Sequence, residues 1–204
     1  TELAEVLSVE LAGPVKRVRT DAGAFAAKTV ILATGADHKH LGAAREEELI
    51  GRGVAYCAAC DGMFYKGRTV AVVGGGNSAA ADALLLSRVC EKVILIPRRD
   101  RLRATKVYHD PLMRAENLAF RWNSVVAGLL GEDQLTGVRL RDTVTGEETD
   151  LPVDGLFVSI GRSPATELFR GQLELDAAGY IVADESTRTS LPGVFAAGDV
   201  RTKA

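Results

Sequence analysis

Apolar positions fall in short bursts along this chain, and the spacing of those bursts changes twice. Residues 1–36 read as short strands separated by turn signals: Leu3 to Leu11, Val15 to Arg19, and Lys28 to Ala33. Gly13-Pro14 and Asp21-Ala22-Gly23 interrupt them, as turn residues do. The pattern predicts a β-meander ending in Val30-Ile31-Leu32-Ala33-Thr34-Gly35, an apolar strand that runs into a small-residue turn. Residues 37–50 are polar and mixed and read as a linker.

The middle stretch, 51–160, has a different period. Thr69-Val70-Ala71-Val72-Val73 is short, β-branched and bounded by Gly67 and Gly74, the signature of a strand buried on both faces. Asn77 to Val89 has helical composition without a breaker, and Lys92 to Pro97 is a second apolar strand. Together these predict a βαβ unit with a right-handed crossover. A helix over Ala104 to Glu116 and a strand over Leu118 to Trp122 follow. Val125 to Leu130, Gln134 to Leu140 and Gly155 to Ile160 read as a further meander packed on the parallel sheet, with turns at Gly131-Glu132-Asp133 and Thr145-Gly146-Glu147. From Gly161 onward short elements return, closing on Gly193-Val194-Phe195-Ala196-Ala197-Gly198-Asp199. The fold class is therefore α/β: a Rossmann-like βαβ nucleotide-binding domain inserted into a second domain, with divisions expected at 1–40, 41–162 and 163–204.

Composition narrows the function without naming it. The hydrophobic share of 47% and charged share of 25% are ordinary for a globular chain of 204 residues. A net charge of −2 gives no reason to expect nucleic acid or an anionic membrane. No apolar run approaches the roughly 20 residues of a membrane span, and Val93 to Ile96 has the length of a strand, so no membrane-crossing segment is expected. The chain opens on Thr1 without an initiator Met and shows no secretory signal, so it is expected to be a piece of something longer.

Three cysteines make a poor disulfide framework, and two of them lie three positions apart in Cys57-Ala58-Ala59-Cys60. In a chain without a secretory signal that pair reads as redox chemistry in a reducing compartment. Zinc is the competing reading. It needs four ligands, and the other candidates are only Cys90 and the isolated His38, His40 and His109, so no metal is expected. Cys90 reads as a small buried apolar residue. Asp61, directly after Cys60, has two readings: a proton shuttle for a departing thiol, or a turn residue with Gly62.

Shortly after the dithiol comes Gly74-Gly75-Gly76-Asn77-Ser78-Ala79, between a strand and a helix. Gly74 permits the tight turn, Gly76 admits a pyrophosphate close to the backbone, and small Ala79 allows close helix–sheet packing. The pyrophosphate lies on the amides at the helix start, where the aligned dipole favours anions. A nucleotide with a free ribose 2′-OH is held by an acidic residue about 20 positions further on. Here Arg98, Arg99 and Arg103 occupy that region, and guanidinium groups suit a 2′-phosphate, which points to NADP(H). Nicotinamides deliver hydride while disulfides accept electrons at sulfur, so a flavin intermediary is chemically expected.

These stretches resemble the bacterial low-molecular-weight thioredoxin reductases across nearly the whole chain. The match is carried by Gly51-Arg52-Gly53-Val54-Ala55-Tyr56-Cys57-Ala58-Ala59-Cys60-Asp61-Gly62, by the glycine turn, and by Arg98-Arg99-Asp100 with Arg103. Leu156-Phe157-Val158-Ser159-Ile160-Gly161 and the 193–200 segment complete it. The resemblance implies a cytoplasmic homodimeric flavoprotein with an NADPH domain inserted in a FAD domain, acting on thioredoxin. It further implies that Cys57 and Cys60 are the redox disulfide and Asp61 the proton donor. Ile160 and Gly161 would flank the NADPH site, and Thr34, Gly35, Gly198 and Asp199 would lie near FAD. Two departures stand out. Pro97 replaces a common His before the arginine pair, and the second glycine fingerprint expected for FAD is absent from this sequence. The 204-residue chain is therefore expected to bind NADP(H) without FAD and to be inactive alone. The alternatives are an NADH-dependent peroxiredoxin reductase, disfavoured by the arginines, and a non-catalytic NADP-binding module.

Overall fold

A computed structural model describes residues 3–202; residues 1, 2, 203 and 204, the outermost ends of the expected flanking stretches, lie outside the described residues. The chain divides into two compact units, one formed by residues 1–37 with 162–204 and the other by residues 38–161.

The first unit begins with Val6–Glu10 (β1), Lys16–Thr20 (β2) and Gly23–Ala27 (β3), an antiparallel sheet in the order β1-β2-β3. Here the structure corrects the expected meander. Gly23 begins a strand that the low-propensity sequence Gly-Ala-Phe-Ala-Ala conceals, because its five positions are all exposed and carry no alternation. Val30–Leu32 (β4) does not continue this sheet. It pairs in parallel with a strand more than 160 residues later, Val194–Ala196. A separate core of Leu11, Leu32, Phe169, Leu173, Ile181, Val194 and Val200 holds this unit together. Ala36–His38 (β5), which overlaps the start of the expected linker, is also a strand and pairs with Arg162–Pro164.

The second unit is built on a five-stranded parallel sheet. In chain order its parts are Val54–Ala55 (β6), a short helix Ala58–Asp61 (α1), Thr69–Val73 (β7), Asn77–Leu86 (α2), Lys92–Ile96 (β8), His109–Arg114 (α3) and Leu118–Phe120 (β9). Ser124–Leu130 (β10), Gly137–Asp142 (β11) and Glu148–Pro152 (β12) form an antiparallel meander, followed by Gly155–Val158 (β13). The sheet order is β6-β13-β7-β8-β9. Strand β13 is thus no part of the meander, contrary to the sequence expectation; it lies between β6 and β7, paired in parallel with both. A run of buried residues reads the same in a meander as in a sheet centre, so only the pairing distinguishes them.

Period two decides how the sheet is covered. Val70, Val72, Val93, Leu95 and Phe157 face one core with Ala79, Ala80, Ala83 and Leu86 of α2 and Leu112 of α3. Ala71, Val73, Ile94, Ile96, Leu156 and Val158 face the other, against Leu135, Val138, Leu140 and Val153 of the meander region. Helices cover one face and the meander the other, which is why β7 and β8 are nearly continuous apolar runs. The helix expected over Ala104–Glu116 is shorter. Its first part is tied down as loop, because the Arg103 and Ala104 amides both donate to the Gly75 carbonyl oxygen, at 2.7 and 3.0 Å. Pro111 sits in the first turn of α3, where its missing N–H costs nothing.

Candidate functional site

Parallel strands release their following loops at one edge, and four such loops meet the chemistry of this chain. Tyr56 and Cys57 follow β6, Ser159–Gly161 follow β13, Gly74–Gly76 follow β7, and Arg98–Arg103 follow β8. This is the sheet edge at which open α/β folds bind ligands. A cleft of about 550 Å³ opens there, within the second unit.

Its floor is the glycine turn. Gly74 has φ 141°, and a Cβ on it would be driven into the Ser159 carbonyl oxygen and sit 2.8 Å from Ala79 Cβ. Gly74 is therefore glycine for both backbone and contact reasons. Above Gly76 there is open space: a methyl group added at its Cα would meet no atom within 4 Å. Asn77 begins α2, and its Oδ1 accepts the Thr105 amide at 2.8 Å, so the turn is tied to the loop after β8. Ser78 lines the cleft, while Ala79 lies fully buried beneath it, 0% exposed.

The walls are cationic. Arg98, Arg99 and Arg103 line the cleft as the sequence suggests, and Ile160 and Gly161 line the opposite side. Two further cations stand there that no motif marks: Arg101, inside the same run, and Lys39, from the stretch that reads as a linker. Among the described residues no Asp or Glu lines the cleft. Among them, too, none of these five cations lies within ion-pairing distance of a carboxylate. Unpaired positive charge around a glycine turn at a helix start suits a polyanionic dinucleotide. Pro97, buried, packs its Cβ 3.4 Å from where a side chain on Gly75 would begin, so it shapes the turn rather than donating to a ligand.

Behind the cleft Asp82 of α2 accepts the Ser159 hydroxyl at 2.5 Å. Burial raises the Asp82 carboxyl above its ordinary range, opposed in part by that hydrogen bond and by the nearby His38. This pair fastens the β13 exit to α2.

Cys57 and Cys60 are joined by a disulfide, with Cα atoms 5.3 Å apart. The Cys60 amide donates to Cys57 Sγ at 3.1 Å, a contact that would favour a thiolate at Cys57 after reduction. Cys60 is exposed, and Cys57 and Asp61 are half-buried. The element is held from both ends. After Asp61, Gly62 packs against Leu86 of α2, and the Tyr65 ring covers Gly155 and meets Phe157 edge-on at 5.3 Å. Before Cys57, Tyr56 donates its hydroxyl proton to Glu46 Oε1 at 2.5 Å, so its oxygen accepts from His40 Nδ1 at 2.8 Å. Glu46 is 3% exposed and also accepts the Leu41 and Gly42 amides, each at 2.8 Å. Burial opposes its charge, but those hydrogen bonds prevail and hold the carboxyl below its ordinary range. Burial and the Glu46 carboxylate together raise the Tyr56 phenol. Nothing in the sequence marks this anchor, since Glu46 is one of three consecutive glutamates.

The remaining candidates lie in the first unit, outside the cleft. Thr34 donates to the Ala165 carbonyl oxygen at 2.7 Å, and Gly35 (φ 73°) accepts the Ala165 amide. Asp199, after Gly198 (φ 76°), pairs with Arg162 at 3.3 Å. Cys90 is buried and free, and burial pushes its thiol up. Among the described residues, no group of three His, Cys, Asp or Glu side chains is arranged to hold a metal ion, and no helix is long and apolar enough to cross a membrane.

The chain is similar to a thioredoxin reductase of Streptomyces clavuligerus, 51% identical over 198 residues that make up 96% of this chain and 62% of that protein. A Listeria monocytogenes thioredoxin reductase is 48% identical over 93% of this chain and 60% of its own length. The crystal structure of Lactococcus lactis thioredoxin reductase in its FR conformation matches with a TM-score of 0.86 and 38% identity, over 98% of this chain and 67% of that one. The chain thus spans about three-fifths of the length of the curated relatives it matches. The family model of the pyridine nucleotide-disulphide oxidoreductases matches residues 3–204, and the chain belongs to that family.

Proposed function

We propose that this chain supplies the NADP(H) site and the redox disulfide of a thioredoxin reductase. The observation that carries the reading is the shared sheet edge: a cation-walled cleft, with no acidic side chain on it among the described residues, and the Cys57–Cys60 disulfide lie at the same edge of one parallel sheet. Relatives at about half identity bear the same name, which supports it.

The residues fit NADP(H). Gly74 makes the tight turn, Gly76 leaves open space for the pyrophosphate, the start of α2 offers its amides, and Arg98, Arg99 and Arg103 would hold the 2′-phosphate. Pairing an arginine with a phosphate distinguishes NADPH from NADH, since only the former carries that group. At the disulfide, electrons arriving as a pair break the Cys57–Cys60 bond and leave two sulfurs, one stabilised by the Cys60 amide. Asp61 is placed directly after Cys60 and serves as the proton source for the thiol. Exposed Cys60 and half-buried Cys57 then exchange with a thioredoxin disulfide.

Flavin, where bound, supplies the step between a hydride donor and a disulfide. Among the described residues of the first unit no strand, glycine turn and helix follow one another to hold its pyrophosphate, and Thr34 and Asp199 are engaged by Ala165 and Arg162. FAD is accordingly assigned to the protein at its relatives' full length, together with a homodimeric assembly and a cytoplasmic location. The test is turnover at that length: thioredoxin is reduced with NADPH and far more slowly with NADH. Equal rates with the two nucleotides, or reduction of a peroxiredoxin partner and not thioredoxin, would reject this function.

A further inference from the structure

The cations around the cleft are not gathered at one point. The sheet runs β13, β7, β8, and the glycine turn follows the middle strand. The four arginines follow β8, so they stand on one side of that turn. Lys39 stands on the other. Its amide donates to the Gly161 carbonyl oxygen at 3.0 Å, which fixes its backbone to the exit of β13. The side chain is exposed and, among the described residues, has no carboxylate within 4.0 Å. A dinucleotide whose pyrophosphate rests on the glycine turn and whose 2′-phosphate meets the arginines must send its nicotinamide half towards β13.

We propose that Lys39 binds the nicotinamide-side phosphate of NADP(H), so that the cations divide the nucleotide between them. The arginines after β8, Arg101 included, read the 2′-phosphate. Lys39 holds the pyrophosphate from the far side of the glycine turn and does not discriminate. The side-chain chemistry agrees: guanidinium is a fixed fork suited to a terminal phosphate, whereas an ammonium group is a point charge with freely turning donors. The inference rests on the NADP(H) reading of the cleft.

The test compares three ligands on Lys39→Met and Arg101→Met in the 204-residue chain: NADPH, NADH and adenosine 2′,5′-bisphosphate, which lacks the nicotinamide-side phosphate. Because Lys39 is exposed, its contact is screened, and a loss of roughly three- to tenfold is expected. Lys39→Met should weaken NADPH and NADH by the same factor and leave the bisphosphate within about twofold of its original affinity. Arg101→Met should do the reverse, weakening NADPH and the bisphosphate but not NADH. Unchanged NADPH binding by Lys39→Met, or a bisphosphate loss as large as that for NADPH, would overturn the assignment. A wild-type chain that binds neither NADPH nor the bisphosphate would instead refute the nucleotide reading on which it rests. Equal melting temperatures of the variants and the wild type exclude misfolding as the cause.

Discussion

Removing Arg98 and Arg99 together should sharply reduce nucleotide discrimination while leaving the fold intact. Both side chains are exposed and make no ion pair among the described residues, so Arg98→Ala with Arg99→Ala removes no packing and strands no buried carboxylate. A charge-assisted hydrogen bond to phosphate contributes about 1.5–3 kcal/mol where water is excluded. The cleft is open to solvent at this wall, so roughly 1 kcal/mol per guanidinium is the better figure. Two of them give about 2 kcal/mol, which is roughly a 30-fold rise in the NADPH dissociation constant. Arg101 and Arg103 remain to hold part of the 2′-phosphate, so binding weakens rather than disappears. NADH has no such phosphate and should change by less than about twofold, up to the general loss of positive field. Titration by calorimetry or by nicotinamide fluorescence, at fixed low salt, reads both constants. If NADPH and NADH weaken by equal factors, the arginines supply only a field and do not read the 2′-phosphate.

Other consequences follow from single contacts. Gly74→Ala should cost on the order of 3 kcal/mol in the thermal unfolding of the second unit, since it meets both a positive φ and the Ser159 carbonyl. Gly76→Ala should melt like the wild type yet weaken NADPH, because its methyl group enters open space meant for the pyrophosphate. Glu46→Gln should destabilise by about 2 kcal/mol at neutral pH, because an amide cannot satisfy two N–H groups and a phenol as a carboxylate does. In the folded protein this carboxyl lies below the ordinary range of a glutamate, so its contribution is present above that range and fades as pH falls through the folded value. Chemical unfolding at pH 7 and near pH 3 should therefore show the gap between variant and wild type narrowing at the acid end. The purified 204-residue chain should bind NADPH and show no visible flavin absorbance; a yellow chain would mean that the first unit holds FAD without a second glycine turn.

The βαβ element is plain in the sequence because Thr69–Val73 and Lys92–Ile96 are buried on both faces and bounded by glycine and proline, so composition alone marks them. The glycine turn and the arginine run are legible for a related reason: their chemistry is local, carried by neighbours in the chain. What sequence conceals is pairing at a distance. Strand β13 has the same apolar composition in a meander or a sheet centre, and β4 pairs with residues that no periodicity points to. Lys39 and Glu46 are hidden in a polar stretch, and their roles exist only because Gly161 and Tyr56 are brought beside them. Ser159 and Asp82 are 77 positions apart and meet only once β13 lies beside β7.

Electrons from NADPH are expected to end on the Cys57–Cys60 pair, and thiol counting measures this directly. The protein, produced at the full length of its relatives and oxidised, is mixed without oxygen with one equivalent of NADPH per chain, then alkylated and mapped. Two new thiols per chain are expected, located at Cys57 and Cys60, with buried Cys90 unlabelled until the protein is unfolded. Oxidation of NADPH with no gain of thiols at those two positions, or thioredoxin reduction persisting in Cys57→Ser, would contradict it.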